Sequence, residues 1–298
     1  MRIGNRKYLQ TNLRFHPRTL ITLFFFLIIR LPAGAAAVSN DTLHFHQAID
    51  RLRILGDSLL KGSSNETRSH ANEKFHQLLD SILHTPGGEL LSLYQVKALS
   101  VIQSRDKRLK AITWMLSMDR GSTFYYHGYL IVKPDSKAPV SIKRLLSRTD
   151  INRDELESIR FTDSSWVGCI YYDIVQTSYR KKTYYLILGW APQSTLVTRK
   201  LAEALRLNDD GSIAGQPTIR AGGKSRSRLV FDYNSSATMS LRFEQKLKMV
   251  VMDHLSPSDP RPEARGTYSL YGPDLSYDGL RFLKGYWQLI RDIDVRNR

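Results

Sequence analysis

The spacing of apolar residues changes once along this chain, near Ser100, and that change limits the fold to a helical start joined to a β domain. From Asp41 to Lys61, apolar side chains fall at Phe45, Ile49, Leu52, Leu55 and Leu59, three or four apart, which lines up one stripe on a helix. Asp41 is expected to cap its start and Gly62 to end it. A second helix is expected over Glu66 to His84, with Phe75, Leu78, Leu79, Ile82 and Leu83 facing inward and Thr85-Pro86-Gly87-Gly88 stopping it. The polar link Lys61 to Asn65 predicts a hairpin, too small to stand alone.

Beyond Ser100 come short runs rich in Tyr, Val, Ile, Phe and Thr, broken by Gly, Asp, Asn and Lys, the pattern of antiparallel strands. Strands are expected near Leu109 to Met118, Thr123 to Val132, Trp166 to Thr177, Thr183 to Trp190, Arg228 to Tyr233, Met239 to Arg242, Lys248 to His254, Thr267 to Tyr271, Gly279 to Phe282 and Trp287 to Asp292. Hairpin turns fit Asp119-Arg120-Gly121, Tyr179 to Lys182 and Leu283-Lys284-Gly285. Alternation through Leu109, Ala111, Thr113 and Met115 predicts one sheet face open to water. Two stretches read as helical: Ser141 to Ser147 as a turn or two, and Thr195 to Leu205 with Leu196, Leu201 and Leu205 inward. The expected class is α+β, with a helical hairpin and linker over residues 38–99 and a mostly antiparallel β domain over 100–298. A sheet, a sandwich and an open barrel all fit, whereas no fixed period supports a propeller.

The first 37 residues read as a secretory signal. Arg2, Arg6, Lys7, Arg14 and Arg18 lead without an acid, the apolar run Leu20 to Ile29 follows, and Ala35 and Ala37 fit the small-x-small rule for cleavage after Ala37. Ten apolar residues are too few to cross a bilayer core of about 30 Å; the alternative is a retained anchor that tolerates Arg30 and runs on through Ala37. The mature chain is expected to hold no transmembrane span. Removing residues 1–37 takes six of the 44 basic residues and none of the 28 acidic ones, so the net charge falls from +16 to +10. Export separates that charge from nucleic acid, and no basic run is longer than Arg180 to Lys182. The expected location is the periplasm or cell envelope, with an anionic envelope polymer or another envelope protein as partner. Cys169 lies in the apolar stretch WVGCIYYDI without a second Cys or a neighbouring His, so it reads as core.

The segments YYLILGW (Tyr184 to Trp190), KMVVMDHLSPSDP (Lys248 to Pro260), YGPDLSYDGLRFLKGYW (Tyr271 to Trp287) and the closing DIDVRN resemble an exported family of unknown function found in Bacteroidota. Asp106 to Leu130 is similar to that family's sheet-entry segment, so the likeness covers most of the chain after about residue 100. It implies an envelope or secreted location and no established activity. After Trp190 this chain has Ala191-Pro192-Gln193 in place of an acidic, Gly-containing turn.

Linear motifs for chemistry are sparse. Asp274, Ser276, Asp278 and Gly279 match the first half of a calcium loop, but the position for its bidentate Glu is Gly285. A turn at Asp274 to Gly279 accounts for the same residues. Asp253-His254, with Asp259 beyond, could orient an imidazole as a general base, yet adjacent strand residues point to opposite faces. Trp166, Trp190, Tyr171, Tyr172, Tyr184, Tyr185 and Tyr271 are enough to line an aromatic groove for sugars or extended peptide, or to pack inside. His44, His46, His70, His76 and His84 lack the i, i+3 or i, i+4 spacing of a helical zinc site and read as surface residues. No H-E-x-x-H, G-x-S-x-G, Walker loop, G-x-G-x-x-G or Cys-rich pattern occurs. The expected function is a non-enzymatic binding or structural module without a cofactor. The candidate ligand-binding residues are Trp190, Asp253, His254, Tyr271, Asp274, Tyr277 and Asp278. The alternative is a glycan- or envelope-acting hydrolase using scattered carboxylates such as Asp253, Asp274 or Asp278. Because the strongest calcium ligand is missing, millimolar calcium is expected to leave the melting temperature unchanged; a clear rise would refute the turn reading.

Overall fold

The computed structural model describes residues 40–134, 139–148, 151–208 and 212–295, so the expected leader lies outside the described residues. Helices α1 (Asn40–Lys61) and α2 (Asn65–His84) pack as the expected hairpin. α1 begins at Asn40, one residue ahead of the cap expected at Asp41, and ends where the Gly62 N–H meets the Ser58 carbonyl at 2.8 Å. α2 is capped by Ser64, whose hydroxyl accepts the Thr67 N–H at 3.1 Å.

Among the described residues the strands form three sheets. The first is β1 (Ser100–Gln103), β2 (Leu109–Met118), β3 (Thr123–Val132) and β4 (Ser141–Leu145), in that order. The second begins with β5 (Ile170–Tyr179), β6 (Lys182–Pro192), β7 (Val197–Leu207) and the short β8 (Ile213–Gly215). The hairpin β9 (Ile219–Ala221) and β10 (Lys224–Arg226) opens the third sheet before β11 (Arg228–Asn234) returns to pair with β7. β12 (Leu241–Glu244), β13 (Met249–Pro257), β14 (Tyr271–Leu283) and β15 (Tyr286–Ile290) complete the third, ordered β10-β9-β15-β14-β13-β12. The β15–β9 pair is parallel; the other ladders are antiparallel.

Three cores stack these elements into layers. Leu52, Leu59, Phe75, Leu79 and Leu83 of the hairpin bury against Ile112, Trp114, Leu116, Tyr129 and Ile131 of the first sheet. The opposite face of that sheet, with Leu109, Ala111, Leu130 and Val132, meets Tyr171, Tyr185, Ile187, Leu201 and Leu205 of the second. The second sheet's other face, with Leu186, Leu188, Ala202 and Ala204, meets Val250, Met252, Leu280 and Trp287 of the third. Cys169 lies inside the middle core, and burial pushes its thiol pKa up, as suits a packing residue.

Burial on both faces explains where sequence and structure part. The wet face expected on β2 does not exist: Ile112, Trp114 and Leu116 alternate with Leu109 and Ala111 and are buried beneath the helices. The helix expected over Thr195 to Leu205 is β7, whose Leu201 through Leu205 are all buried because the two faces enter different cores. Leu196, expected inward, is exposed. Of the stretch Ser141 to Ser147, Ser141–Leu145 forms strand β4, edging the first sheet, rather than a helical turn. The strand expected from Trp166 starts at Ile170, after Gly168 takes φ 71°. That expected over Met239 to Arg242 is shifted to Leu241–Glu244.

In the middle core, Glu203 and Arg228 are fully buried and bonded to each other. The Tyr171 hydroxyl donates to Glu203 at 2.7 Å, and Arg228 also donates to the Leu156 carbonyl at 2.6 Å. A buried carboxylate without these donors would be costly. At the helix–sheet boundary, Trp114 Nε1–H donates to Asn72 Oδ1 at 2.8 Å, and the Asn72 amide nitrogen lies 3.2 Å from His127 Nε2. The Trp114 and His127 rings stack at 5.3 Å. His76, expected on the surface, is half-buried beside them, its Nε2 3.2 Å from the Tyr129 hydroxyl, which donates to Asp80 at 2.8 Å.

Burial first, then His76 and Arg144, lowers the His127 pKa to about 4; burial and Arg144 also lower His76 against the pull of Asp80. The unfolded chain therefore takes up protons before the folded one as pH falls from about 6.5. Stability is full above that value, declines toward pH 4 by roughly 3 kcal/mol from His127, and loses nothing further from this group below it. Urea midpoints measured from pH 7 to 4 should follow that decline, and His127→Gln should flatten it; an identical profile in the variant would refute the assignment.

Candidate functional site

The second sheet exposes part of its surface in a cleft of about 480 Å³. Register places Ile170, Trp190 and Lys200 side by side on β5, β6 and β7, and Tyr233 opposite Thr198 on β11 and β7. Tyr172, which follows Tyr171 at an irregularity in the β5–β6 ladder, adds a second ring, and Ser235 to Met239 supply the rest of the wall. The Tyr172 hydroxyl donates to the Leu241 carbonyl at 2.7 Å, fixing that ring. Lys200 Nζ donates to the Met239 carbonyl at 2.6 Å and lies 5.5 Å from the Tyr172 ring centre. Trp190 is half-buried, and its indole N–H bonds the Tyr233 hydroxyl.

Charge in this cleft has one sign. Among the described residues lining it are Lys200, the hydroxyls of Thr198, Ser235 and Thr238, and no Asp or Glu. Burial lowers the Lys200 pKa while Asp253 opposes it, and burial followed by Asp173 raises that of Tyr172. Aromatic faces, hydroxyls and one cation suit stacking and hydrogen bonding to a ligand. They offer no carboxylate for acid–base chemistry on it.

His254, Asp274 and Asp278 come together elsewhere. The β13–β14 ladder is irregular between Asp253 and Leu255, and Leu275 takes φ 72°, so His254 sits between two carboxylates of β14. His254 Nδ1 is 2.9 Å from Asp278 Oδ2 and Nε2 is 4.0 Å from Asp274 Oδ2. Asp278, 2% exposed, also bonds the Arg291 guanidinium and accepts the Asp292 N–H at 3.1 Å. Burial alone would raise the Asp274 pKa, but the Ser276 hydroxyl and N–H, the His254 imidazole and the Ser256 hydroxyl lower it overall. Both imidazole nitrogens face carboxylates, so this cluster ties β13, β14 and the segment after β15 together. The stretch Asp274 to Gly279 lies within β14, and the expected turn survives there as a local bulge: Asp274 to Ser276 have no ladder partner and the Asp274 carboxylate accepts the Ser276 N–H at 3.1 Å, while Tyr277 to Gly279 pair with β13.

The remaining candidates line two further depressions. Asp253 and Tyr277 are cross-strand neighbours beside a separate groove of about 500 Å³, and Asp253 accepts the Ser240 N–H at 2.7 Å. Asp259 accepts from Arg261 at 2.9 Å, so it does not orient His254. Tyr271 lines a cavity of about 200 Å³ with Arg153, Asp232 and Arg291, and the candidates Asp253 and Asp278 line the same cavity. Of the seven candidate aromatics, Trp166, Tyr171 and Tyr185 are buried, Tyr184 packs on Phe282 and Tyr271 lines the cavity above, so Trp190 and Tyr172 remain for the cleft. Lys200 and Tyr233 escaped sequence reasoning because nothing local links them to Trp190; only ladder register does. Among the described residues no group of three or more His, Cys, Asp and Glu is placed to hold a metal ion, and no helix is long and apolar enough to cross a membrane.

Asp278→Ala should cost about 1–3 kcal/mol by leaving His254 and Arg291 without their shared acceptor. Hydrogen exchange should also quicken at the Ile293 amide, which bonds the Tyr277 carbonyl at 2.8 Å; unchanged exchange there would refute the bracing role. No family model matches this chain, and neither a curated protein nor a solved structure does.

Proposed function

We propose that this protein is an exported, non-enzymatic binding module of the cell envelope, holding an anionic envelope polymer in the cleft at Trp190. The observation that carries this reading is the cleft itself: Trp190 and Tyr172, backed by the buried Tyr233, beside Lys200 and hydroxyls, with no acid among the lining residues. Rings stack on sugar faces, hydroxyls exchange hydrogen bonds with sugar hydroxyls, and the lone cation favours an acidic substituent. The basic leader, the net positive charge of the remaining chain and the resemblance to an exported Bacteroidota family support the location. A hydrolase would present two carboxylates to a substrate; Asp274 and Asp278 both face His254, and Asp253, which accepts the Ser240 N–H, lines grooves apart from the Trp190 cleft.

Binding to acidic polysaccharides extracted from an envelope tests this. Trp190→Ala should weaken it about ten-fold, a loss of roughly 1.4 kcal/mol, with the urea midpoint little changed. Equal affinity in the variant would sink the cleft as the binding site.

A further inference from the structure

Five cations occupy left-handed backbone in turns at one end of the sheets: Lys107 (φ 59°), Arg180 (49°), Lys181 (63°), Lys248 (51°) and Lys284 (50°). All five are exposed. They are far apart in sequence, and the strand pairing gathers them. Met249 pairs with Arg281, which sets the β12–β13 turn holding Lys248 beside the end of β14 and its Lys284-Gly285 turn. The β5–β6 turn holding Arg180 and Lys181 joins them: Gly285 lies against the Tyr184 and Tyr179 rings, and Tyr184 packs on Phe282 at 5.1 Å. The β1–β2 loop holding Lys107 is tied to the same hairpin, since the Asp106 N–H donates to Gln176 at 3.0 Å and Tyr185 donates to Asp106 at 2.6 Å.

Left-handed turn positions favour Gly, Asn or Asp over Lys or Arg. Long cations at each of them are a choice against backbone preference, and one that concentrates positive charge. Two carboxylates lie among these turns: Asp106 is already bonded by Ser104 and Tyr185, and Glu244, opposite Met249, is 4.0 Å from Arg242. Leu283, next to Lys284, is 50% exposed.

We propose that this end of the molecule docks on the surface of a lipid bilayer bearing anionic headgroups. The cations stand on separate turn tips rather than along a groove that could track a polymer chain. An exposed Leu among them gains by entering the headgroup boundary, which a hydrated polyanion does not offer. This surface is distinct from the Trp190 cleft and does not depend on it.

Residues 1–18 are also basic, so the test reads individual sites in the full chain. Lysine acetylation is followed by mass spectrometry with phosphatidylglycerol-containing vesicles, with phosphatidylcholine vesicles and with soluble dextran sulfate. Lys107, Lys181, Lys248 and Lys284 should be acetylated several-fold more slowly on anionic vesicles, and the protection should vanish at high salt. Lys74 and Lys97, exposed in the helical region and the segment after it, should be unaffected. A double variant, Lys248→Gly with Lys284→Gly, should melt higher because it relieves the backbone, yet lose protection at Lys107 and Lys181. No protection, equal protection on neutral vesicles, protection by dextran sulfate alone, or full protection in the double variant would each overturn the proposal.

Discussion

The second sheet is buried on both faces, and the rest of the molecule follows from that constraint. Its strands must supply apolar side chains at consecutive positions, so Tyr185 and Ile187 enter one core while Leu186 and Leu188 enter another. Covering one face requires the first sheet, and covering the other requires the third. The first sheet then has an apolar face of its own, through Ile112, Trp114 and Leu116, which the helical hairpin covers. The hairpin is thus the outer lid of a stack whose centre is β6 and β7.

The buried carboxylate and amide inside that stack are held by specific partners, while Arg228 Nε and the Trp287 indole N–H are buried without one. Glu203 lies on the strand face directed at the first sheet, where an unpaired carboxylate would be expelled or protonated. Arg228 from the neighbouring strand and Tyr171 from β5 satisfy it. Asn72, His76, His127 and Trp114 form a similar network between α2 and the first sheet, and its neutral imidazoles tie helix docking to proton concentration. Side chains also tie the first two sheets together: the Ser100 hydroxyl donates to the Tyr171 carbonyl at 2.6 Å, and Thr113 accepts the Tyr171 N–H at 3.0 Å.

Two surfaces emerge where the covering stops. The cleft at Trp190 is a patch of the second sheet bounded by the loop after β11. The cationic end collects turns from all three sheets and holds five of the six left-handed Lys and Arg residues among those described, the sixth being Arg120 in the β2–β3 turn. One combines rings with a single buried-side cation and the other combines many exposed cations with one exposed leucine, so they suit different chemistries on the same scaffold.

The helical hairpin was legible residue by residue, because one-sided burial leaves a periodic stripe: Leu52, Leu59, Phe75, Leu79 and Leu83 stand where spacing placed them. The antiparallel class and most strands were legible for the same reason, since turn residues and short β-rich runs are local signals. β7 was not, because two-sided burial puts apolar residues on both faces of Leu201 to Leu205, interrupted only by Glu203, a run that helix and strand share. The partner of His254 was not legible either: the neighbours Asp253 and Asp259 turn to Ser240 and Arg261, while Asp278 reaches it from 24 residues away across a bulged ladder. Sequence alone therefore determined the helical hairpin, most of the extended segments and how much charge the chain carries. Register and layering decided which rings meet Lys200 and which cations share one end, because strand pairing joins residues without regard to their separation along the chain.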